Sequence, residues 1–137
     1  MKNKLTCSLL FAFPLFIHTC KDPKLAPCFD IKQISQKWKN EYIQVQGYNS
    51  KNANEGSYRI YPKGIFKLNS DGTYNVMSED VPLDGKWMLN PDCSITLDEN
   101  NSNKRTFAIV KLTTDSLVIS RKDESTLTIY IQHYSAN

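Results

Sequence analysis

The amino-acid sequence predicts an all-β protein, an eight-stranded up-and-down antiparallel barrel that follows an N-terminal signal segment. Three observations support this fold class. Short runs of alternating apolar residues fill the chain beyond Asp30, the connections between them alternate in length, and 137 residues give room for one domain with a single core. The content of 40% hydrophobic and 11% aromatic residues is that of a globular protein.

The N-terminal residues have the composition of an export signal. Lys2 and Lys4 form a basic start, and an uncharged apolar run extends from Leu5 to Thr19. That run is shorter than the roughly 20 apolar residues of a membrane-spanning helix, and it fits the hydrophobic region of a signal peptide. We expect residues 1–19 to be a signal peptide, residues 20–29 a tether and residues 30–137 the folded domain.

The apolar run ends at a cysteine. Ile17-His18-Thr19-Cys20 resembles the lipobox of bacterial lipoproteins, in which the cysteine is acylated and becomes the first mature residue. The resemblance implies lipidation of Cys20 and anchoring to a membrane of the bacterial cell envelope. We expect the outer membrane, with the domain in the periplasm or exposed at the surface. Simple secretion and an uncleaved anchor are the alternatives.

The charge of the mature chain argues against nucleic acid as a partner. The formal net charge is +3, and loss of Lys2 and Lys4 with the signal brings it close to zero. The remaining basic residues, such as Lys37 and Lys51, are scattered among acidic and amide side chains. Nucleic-acid binding requires a concentrated basic face, so this class of function is excluded.

Eight runs rich in β-branched and aromatic residues supply the strands of the predicted barrel. In chain order they are KWKNEYIQVQG, SYRIYPKGIFKL, GTYNVMSE, LDGKWML, SITLD, RTFAIVKL, DSLVIS and STLTIYIQHY. Before the first run, Pro27 to Gln36 have room for a turn or two of helix. In the last run, the isoleucines are predicted to face inward, with Tyr130 and Tyr134 on the other face.

The connections between these runs alternate between tight turns and longer loops. The tight turns are NSDG (69–72), NPD (90–92) and TTDS (113–116), whose residue types suit hairpins. The longer loops span Gly47–Gly56, Glu79–Asp84, Asp98–Lys104 and Arg121–Ser125. Successive connections of an up-and-down barrel lie at opposite ends. The sequence therefore predicts one end closed by hairpins and an open end framed by the longer loops.

Motifs within these runs resemble those of a known family. The chain contains a Phe-x-x-x-x-Asp-Gly-x-Tyr hairpin, a Gly-x-Trp strand and an aromatic-x-Ile-x-x-Leu-x-x-Asp-x-Leu-x-Ile hairpin. Over residues 33–134 it is similar to the lipocalin-like domains of small Bacteroidota lipoproteins, a resemblance that implies an architecture more than an activity. Trp38 lies where the first strand of the family carries another Gly-x-Trp, with Gln36 in place of the Gly. The matching residues are Phe66, Asp71, Gly72, Tyr74, Gly85, Trp87, Phe107, Ile109, Leu112, Asp115, Leu117 and Ile119.

Cys28 and Cys93 are the two cysteines that remain beyond the signal peptide and Cys20. Export would place them in an oxidising compartment, where cysteine pairs tend to bond. The first strand begins at the hairpin-closed end, because its exit loop is a long one, and Cys93 follows the tight turn at the same end. The sequence thus predicts a Cys28–Cys93 disulfide that pins the N-terminal segment across the barrel floor. Two unpaired buried thiols are the alternative.

The sequence gives little support to an enzyme, and no cofactor or metal ion is expected. His133 is the only histidine beyond the signal, so a His-based triad or metal site lacks its usual member. The acidic pairs lie in predicted loops, and DENNSN (98–103) lacks the ordered spacing of a calcium loop. The sequence contains no Gly-rich phosphate loop, Cys-x-x-Cys or nucleophile elbow.

Two non-enzymatic functions fit the predicted barrel, with a small enzyme as a remote third. The first is binding of a small apolar ligand in or at the mouth of the barrel, because aromatic and flexible apolar side chains suit such a cavity. The inward positions predicted to contact this ligand are Tyr42, Tyr58, Met77 and Phe107. Plain core packing is the alternative for each. The second function is that of an interaction or structural accessory module, bound to a protein partner in an envelope complex.

Overall fold

The computed structural model describes residues 28–49, 51, 53–78 and 82–137. The expected signal peptide, Cys20 and most of the expected tether lie outside the described residues. Within these residues, one short helix precedes nine strands. Their bounds are α1 (Ile31–Ile34), β1 (Lys37–Tyr48), β2 (Asn54–Ile60), β3 (Gly64–Leu68), β4 (Thr73–Ser78), β5 (Leu83–Leu89), β6 (Ser94–Leu97), β7 (Arg105–Leu112), β8 (Ser116–Asp123) and β9 (Thr128–Ala136).

Eight of the nine strands close into an antiparallel barrel, as the sequence predicts. From β1 the sheet continues through β3, β4, β5, β6, β7, β8 and β9, and β9 pairs back to β1. Strand β2 is not a ninth strand around the barrel, because it lies along the same edge of β1 as β3. The first residues of β1 pair with β3, and its second half pairs with β2.

The run SYRIYPKGIFKL forms two strands rather than the single predicted one. The break falls at residues 61–63, where Pro62 has no N–H to donate to a ladder hydrogen bond. Strand β4 ends opposite the start of β3, with Ser78 paired to Gly64. Strand β2 therefore extends past the end of β4, and its paired neighbour among the described strands is β1 alone. No other strand of the described residues covers that side of β2.

An apolar core fills the barrel from its hairpin-closed end. Cross-strand partners share a face of the sheet, and pairs such as Trp87–Leu97 and Leu117–Tyr134 join inward-facing residues of neighbouring strands. Each of the eight barrel strands contributes at least one residue to this cluster. Its members are Ile34, Trp38, Phe66, Leu68, Tyr74, Trp87, Ile95, Leu97, Phe107, Leu117, Ile119 and Tyr134.

The N-terminal segment covers the closed end, where the hairpin turns meet. The helix α1 lies within the range for which the sequence predicts a helical turn. The side chain of Gln36 donates to the carbonyl of Thr114 in the β7–β8 turn at 3.2 Å. The indole N–H of Trp87 donates to the carbonyl of Asn69 in the β3–β4 turn at 2.8 Å. These bonds tie the segment and the turns to the barrel.

The Cys28–Cys93 disulfide is present, and its two Cα atoms lie 5.4 Å apart. Cys93 follows the β5–β6 turn and has a positive φ of 66°. Both cysteines lie at the closed end, so the alternation of tight and long connections predicts the position of this bond correctly.

The faces of β9 are the reverse of the predicted ones. Tyr134 pairs with Leu117 and lies in the core with 7% of its surface exposed. Alternation from Tyr134 places Gln132 and Tyr130 inside, and it places Ile131 and Ile129 on the outer face. The prediction was wrong because both faces of this strand carry large apolar side chains, so the alternation alone does not identify the inner one.

The last of the predicted long loops is shifted along the chain. Strand β8 continues through Asp123, and the turn occupies residues 124–127 instead of 121–125. The Asp123 carboxylate accepts hydrogen bonds from the backbone N–H and the hydroxyl of Ser125, at 3.0 and 2.6 Å. This local bonding starts the turn at Asp123, and Arg121 consequently lies within the strand.

Candidate ligand-binding site at the open end

The inner face of the sheet at the open end carries apolar side chains that the core does not cover. Two rows of cross-strand partners cross β2, β1, β9 and β8 there. The deeper row is Ile60–Ile43–Gln132–Ile119, and the outer row is Tyr58–Val45–Tyr130–Arg121. Tyr58 keeps 64% of its surface exposed and Ile60 keeps 43%, although both belong to the inward side of the sheet. This surface is the candidate site, and we call it the mouth.

Polar side chains stand between the mouth and the filled core. The hydroxyl of Tyr74 donates to Asp98 Oδ2 at 2.6 Å, and the hydroxyl of Tyr134 donates to Gln132 Oε1. Burial raises the pKa of both tyrosines above the ordinary value, and the positive charge of Arg105 opposes this rise. Both hydroxyls are therefore protonated hydrogen-bond donors near neutral pH, and Arg105 lies close to both.

Two inward-facing arginines belong to this region, and neither is among the predicted ligand contacts. Arg105 pairs with Leu97 and alternates with Phe107, both of which are core residues. Arg121 pairs with Tyr130, and its guanidinium lies 5.3 Å from the centre of that ring. The alternation in RTFAIVKL could have identified Arg105, because residues two apart in a strand share a face and Phe107 faces inward.

The four predicted ligand contacts do not share one surface. Tyr58 faces inward at the mouth, and Phe107 faces inward within the filled core. Tyr42 and Met77 face outward, so the prediction of their inward orientation was wrong. Whether Tyr58 or Phe107 contacts a ligand stays a prediction.

The orientation of Tyr42 results from a β-bulge. The pairing of β1 with β9 shifts register between Asn40 and Tyr42, and this shift turns Ile43 inward in place of Tyr42. The ring of Tyr42 instead stacks on His133 at 4.1 Å, with the Arg59 guanidinium 4.5 Å from its centre. Burial lowers the pKa of His133, and the charge of Arg59 adds to this effect. Met77 is outward because Tyr74 and Val76 occupy the inner positions of β4.

Tyr74 and Asp98 contact each other beside Gly85, where the absence of a side chain leaves room for both groups. A Cβ atom at residue 85 would collide with Asp98 Oδ1 and would lie 2.7 Å from the Tyr74 ring. We expect Gly85→Ala to disrupt the Tyr74–Asp98 hydrogen bond and to lower the free energy of unfolding by about 1–3 kcal/mol. Urea denaturation measures this change. The control is Gly47→Ala, because a Cβ there meets nothing within 4 Å, and equal losses in the two variants would contradict the assignment.

The described residues contain no group of three or more His, Cys, Asp or Glu side chains placed to hold a metal ion. Among the same residues, no helix has the length and apolar character needed to cross a membrane.

The strand order defines an up-and-down β-barrel with hairpins at one end and longer loops at the other, which is the architecture of lipocalins. No family model and no curated protein matches the chain. Among solved structures, the chain is similar to a lipocalin-like protein from Bacteroides uniformis, with 17% sequence identity and a TM-score of 0.46. The match covers 73% of this chain and 96% of that chain. A likeness at this level carries no information about the ligand.

Proposed function

We propose that this protein is a non-enzymatic binding protein that holds a small, largely apolar molecule at the mouth of its barrel. The uncovered inner surface at Tyr58 and Ile60 carries this proposal. Removing apolar surface from water stabilises a complex by roughly 25 cal/mol per Å². A ligand that covers these side chains and the neighbouring Ile43 would gain free energy in this way.

The filled core limits how deeply such a ligand can lie. Phe107, Trp87 and Tyr134 occupy the interior below the mouth and are almost fully buried. The ligand therefore lies above these side chains and against the sheet formed by β2, β1 and β9. A small molecule that is partly covered fits this shape better than one enclosed at the barrel centre.

A protein partner is the second candidate, and exposed aromatic side chains outside the mouth favour it. Tyr61 is 67% exposed, and its ring lies 6.2 Å from that of Tyr42 on the outer side. The open edge of β2 is a poor template for an added strand, however. A bulge opposite Gly47, the charges of Glu55 and Arg59, and the adjacent Pro62 are all features that protect strand edges. This protection favours the small ligand over strand addition by a partner.

Tyr58 and Tyr61 provide a matched test of the mouth. We expect an environment-sensitive fatty-acid probe to bind the protein saturably, and we expect Tyr58→Ser to weaken binding by about tenfold. Tyr61→Ser is the control, because it removes an equally exposed tyrosine outside the mouth. Fluorescence titration measures both affinities. Equal losses in the two variants, or no saturable binding by the wild type, would rule out the mouth as the site.

We also propose that the protein is a lipoprotein anchored to the bacterial cell envelope through Cys20. The motif before Cys20 supports this part of the proposal. The N-terminal segment joins the barrel at the closed end through Cys28, so a tether from Cys20 would leave the mouth pointing away from the membrane. In this arrangement a ligand reaches the mouth from the aqueous side.

Lipidation is tested by labelling cells with radioactive palmitate. We expect the wild type to incorporate the label and to fractionate with membranes, and we expect Cys20→Ala to lose both properties. Cys7→Ala is the control, because Cys7 lies inside the expected signal peptide and is removed with it. Unchanged labelling of Cys20→Ala would show that another residue carries the lipid or that the label is not specific.

A further inference from the structure

Arg105 is a cation that faces inward at the boundary between the core and the mouth. It is the first residue of β7, which begins at the open end, and its cross-strand partner Leu97 is buried in the core. The Nε atom of Arg105 is buried and has no hydrogen-bond acceptor. Among the residues that the structure describes, no carboxylate forms an ion pair with this guanidinium.

A buried donor without an acceptor is unfavourable, and an incoming acceptor removes that cost. The polar groups near Arg105 are already bonded to one another. The Tyr74 hydroxyl donates to Asp98, whose carboxylate also accepts from the backbone N–H of Lys86, and the Tyr134 hydroxyl donates to Gln132. Arg105 also forms a side-chain hydrogen bond with the Tyr74 hydroxyl, which opposes the rise in the pKa of Tyr74. The donor that remains without an acceptor, and that a ligand could use, is therefore the Nε atom of Arg105.

Arg121 is less suited to this role, although it also faces inward. Hydrogen bonds from Ser125 lower the pKa of the neighbouring Asp123 carboxyl group, and the charge of Arg121 adds to this effect. Arg121 also lies over the Tyr130 ring at the outer row of the mouth. Arg121 thus has Asp123 and the Tyr130 ring as neighbours at the rim, whereas Arg105 has a buried Nε atom without an acceptor.

We propose that the ligand of the mouth is an amphipathic molecule whose carboxylate head group binds Arg105. A guanidinium presents its N–H groups in a planar fork that matches the two oxygens of a carboxylate. The apolar part of the ligand would extend outward over Ile43, Ile60 and Tyr58. This inference rests on the function proposed above and adds the charge and the orientation of the ligand.

Decanoate and 1-decanol test the head group, because they share a hydrocarbon chain and differ in charge. Isothermal titration calorimetry with the full chain should show decanoate binding roughly tenfold or more tightly than decanol. Arg105→Gln should remove this preference by weakening decanoate binding far more than decanol binding, and Arg105→Lys should retain part of it. Arg59→Gln is the matched control, because Arg59 lies over Tyr42 on the outer face, and it should keep the full preference. Thermal melts establish that each variant is folded.

The outcomes separate this inference from the function on which it rests. Equal wild-type affinities for decanoate and decanol would overturn the carboxylate assignment and would leave apolar binding at the mouth in place. A folded Arg105→Gln variant that still prefers decanoate would overturn the role of Arg105. If neither compound binds saturably, the proposed function fails, and this inference fails with it.

Discussion

Replacement of Trp38 by alanine is expected to lower the free energy of unfolding by about 3–5 kcal/mol, the range for large aromatic side chains in cores. Trp38 has 0% of its surface exposed, and its indole N–H donates to the carbonyl of Ile34 at 2.9 Å. The substitution removes this hydrogen bond and leaves a cavity between α1 and the barrel. Since domains of this size are stable by only about 5–15 kcal/mol, this loss is a large fraction of the total stability.

Urea denaturation followed by circular dichroism measures the Trp38→Ala effect. Trp38→Phe separates its two causes, because phenylalanine fills most of the space but removes the indole donor, while the Ile34 carbonyl keeps the backbone N–H of Gln36. Tyr61→Ala is the control for loss of an exposed aromatic side chain, with an expected change within about 0.5 kcal/mol. A Trp38→Ala variant as stable as Tyr61→Ala would contradict the structural role given to this residue.

The barrel could be predicted because its turns carry local chemical signals. In the NSDG turn, the Asp71 carboxylate accepts from the backbone N–H of Thr73 at 2.9 Å, and Gly72 has a positive φ of 82°. Such bonds lie within a few residues of one another, so a short stretch of sequence determines them. The alternation of tight and long connections then follows, and with it the shared location of Cys28 and Cys93.

The inner face of the mouth could not be predicted in the same way. Tyr42 faces outward because one irregularity beyond Asn40 reverses the alternation of all later residues in β1. No residue type in NEYIQV marks that irregularity. Strand β9 presents a related difficulty, because Tyr134 and Ile131 are both large and apolar. The pairing of Tyr134 with Leu117, a contact across strands, decides between its two faces.

The residues that give the mouth its charge were missed for a different reason. Arginine in a strand is most often an outward, solvated residue, and Arg59 fits that expectation. Arg105 differs because its alternation with Phe107 places it inside. Its relation to Tyr74 and Tyr134 depends on β4, β7 and β9 meeting in three dimensions. The sequence therefore predicted the barrel and its open end, whereas the polar groups of the site could be identified only from the closed barrel.

Loss of the Cys28–Cys93 disulfide is expected to lower the free energy of unfolding by about 2–4 kcal/mol. The bond joins residues separated by 65 positions, and closing a loop of this length restricts the unfolded chain strongly. Cys93→Ser should therefore melt at a lower temperature than the oxidised wild type, and reductant should lower the wild-type midpoint to a similar value.

The double variant Cys28→Ser/Cys93→Ser provides the control for the disulfide. It should match Cys93→Ser in stability, and its melting should not respond to reductant, since neither variant can form the bond. A wild-type midpoint that stays constant after thiol titration has shown full reduction would contradict the stabilising role. The disulfide lies at the closed end, away from Tyr58 and Arg105. Ligand affinity measured well below the melting temperature should therefore be the same for the oxidised protein and for the double variant, which separates the stability of the barrel from the chemistry of its mouth.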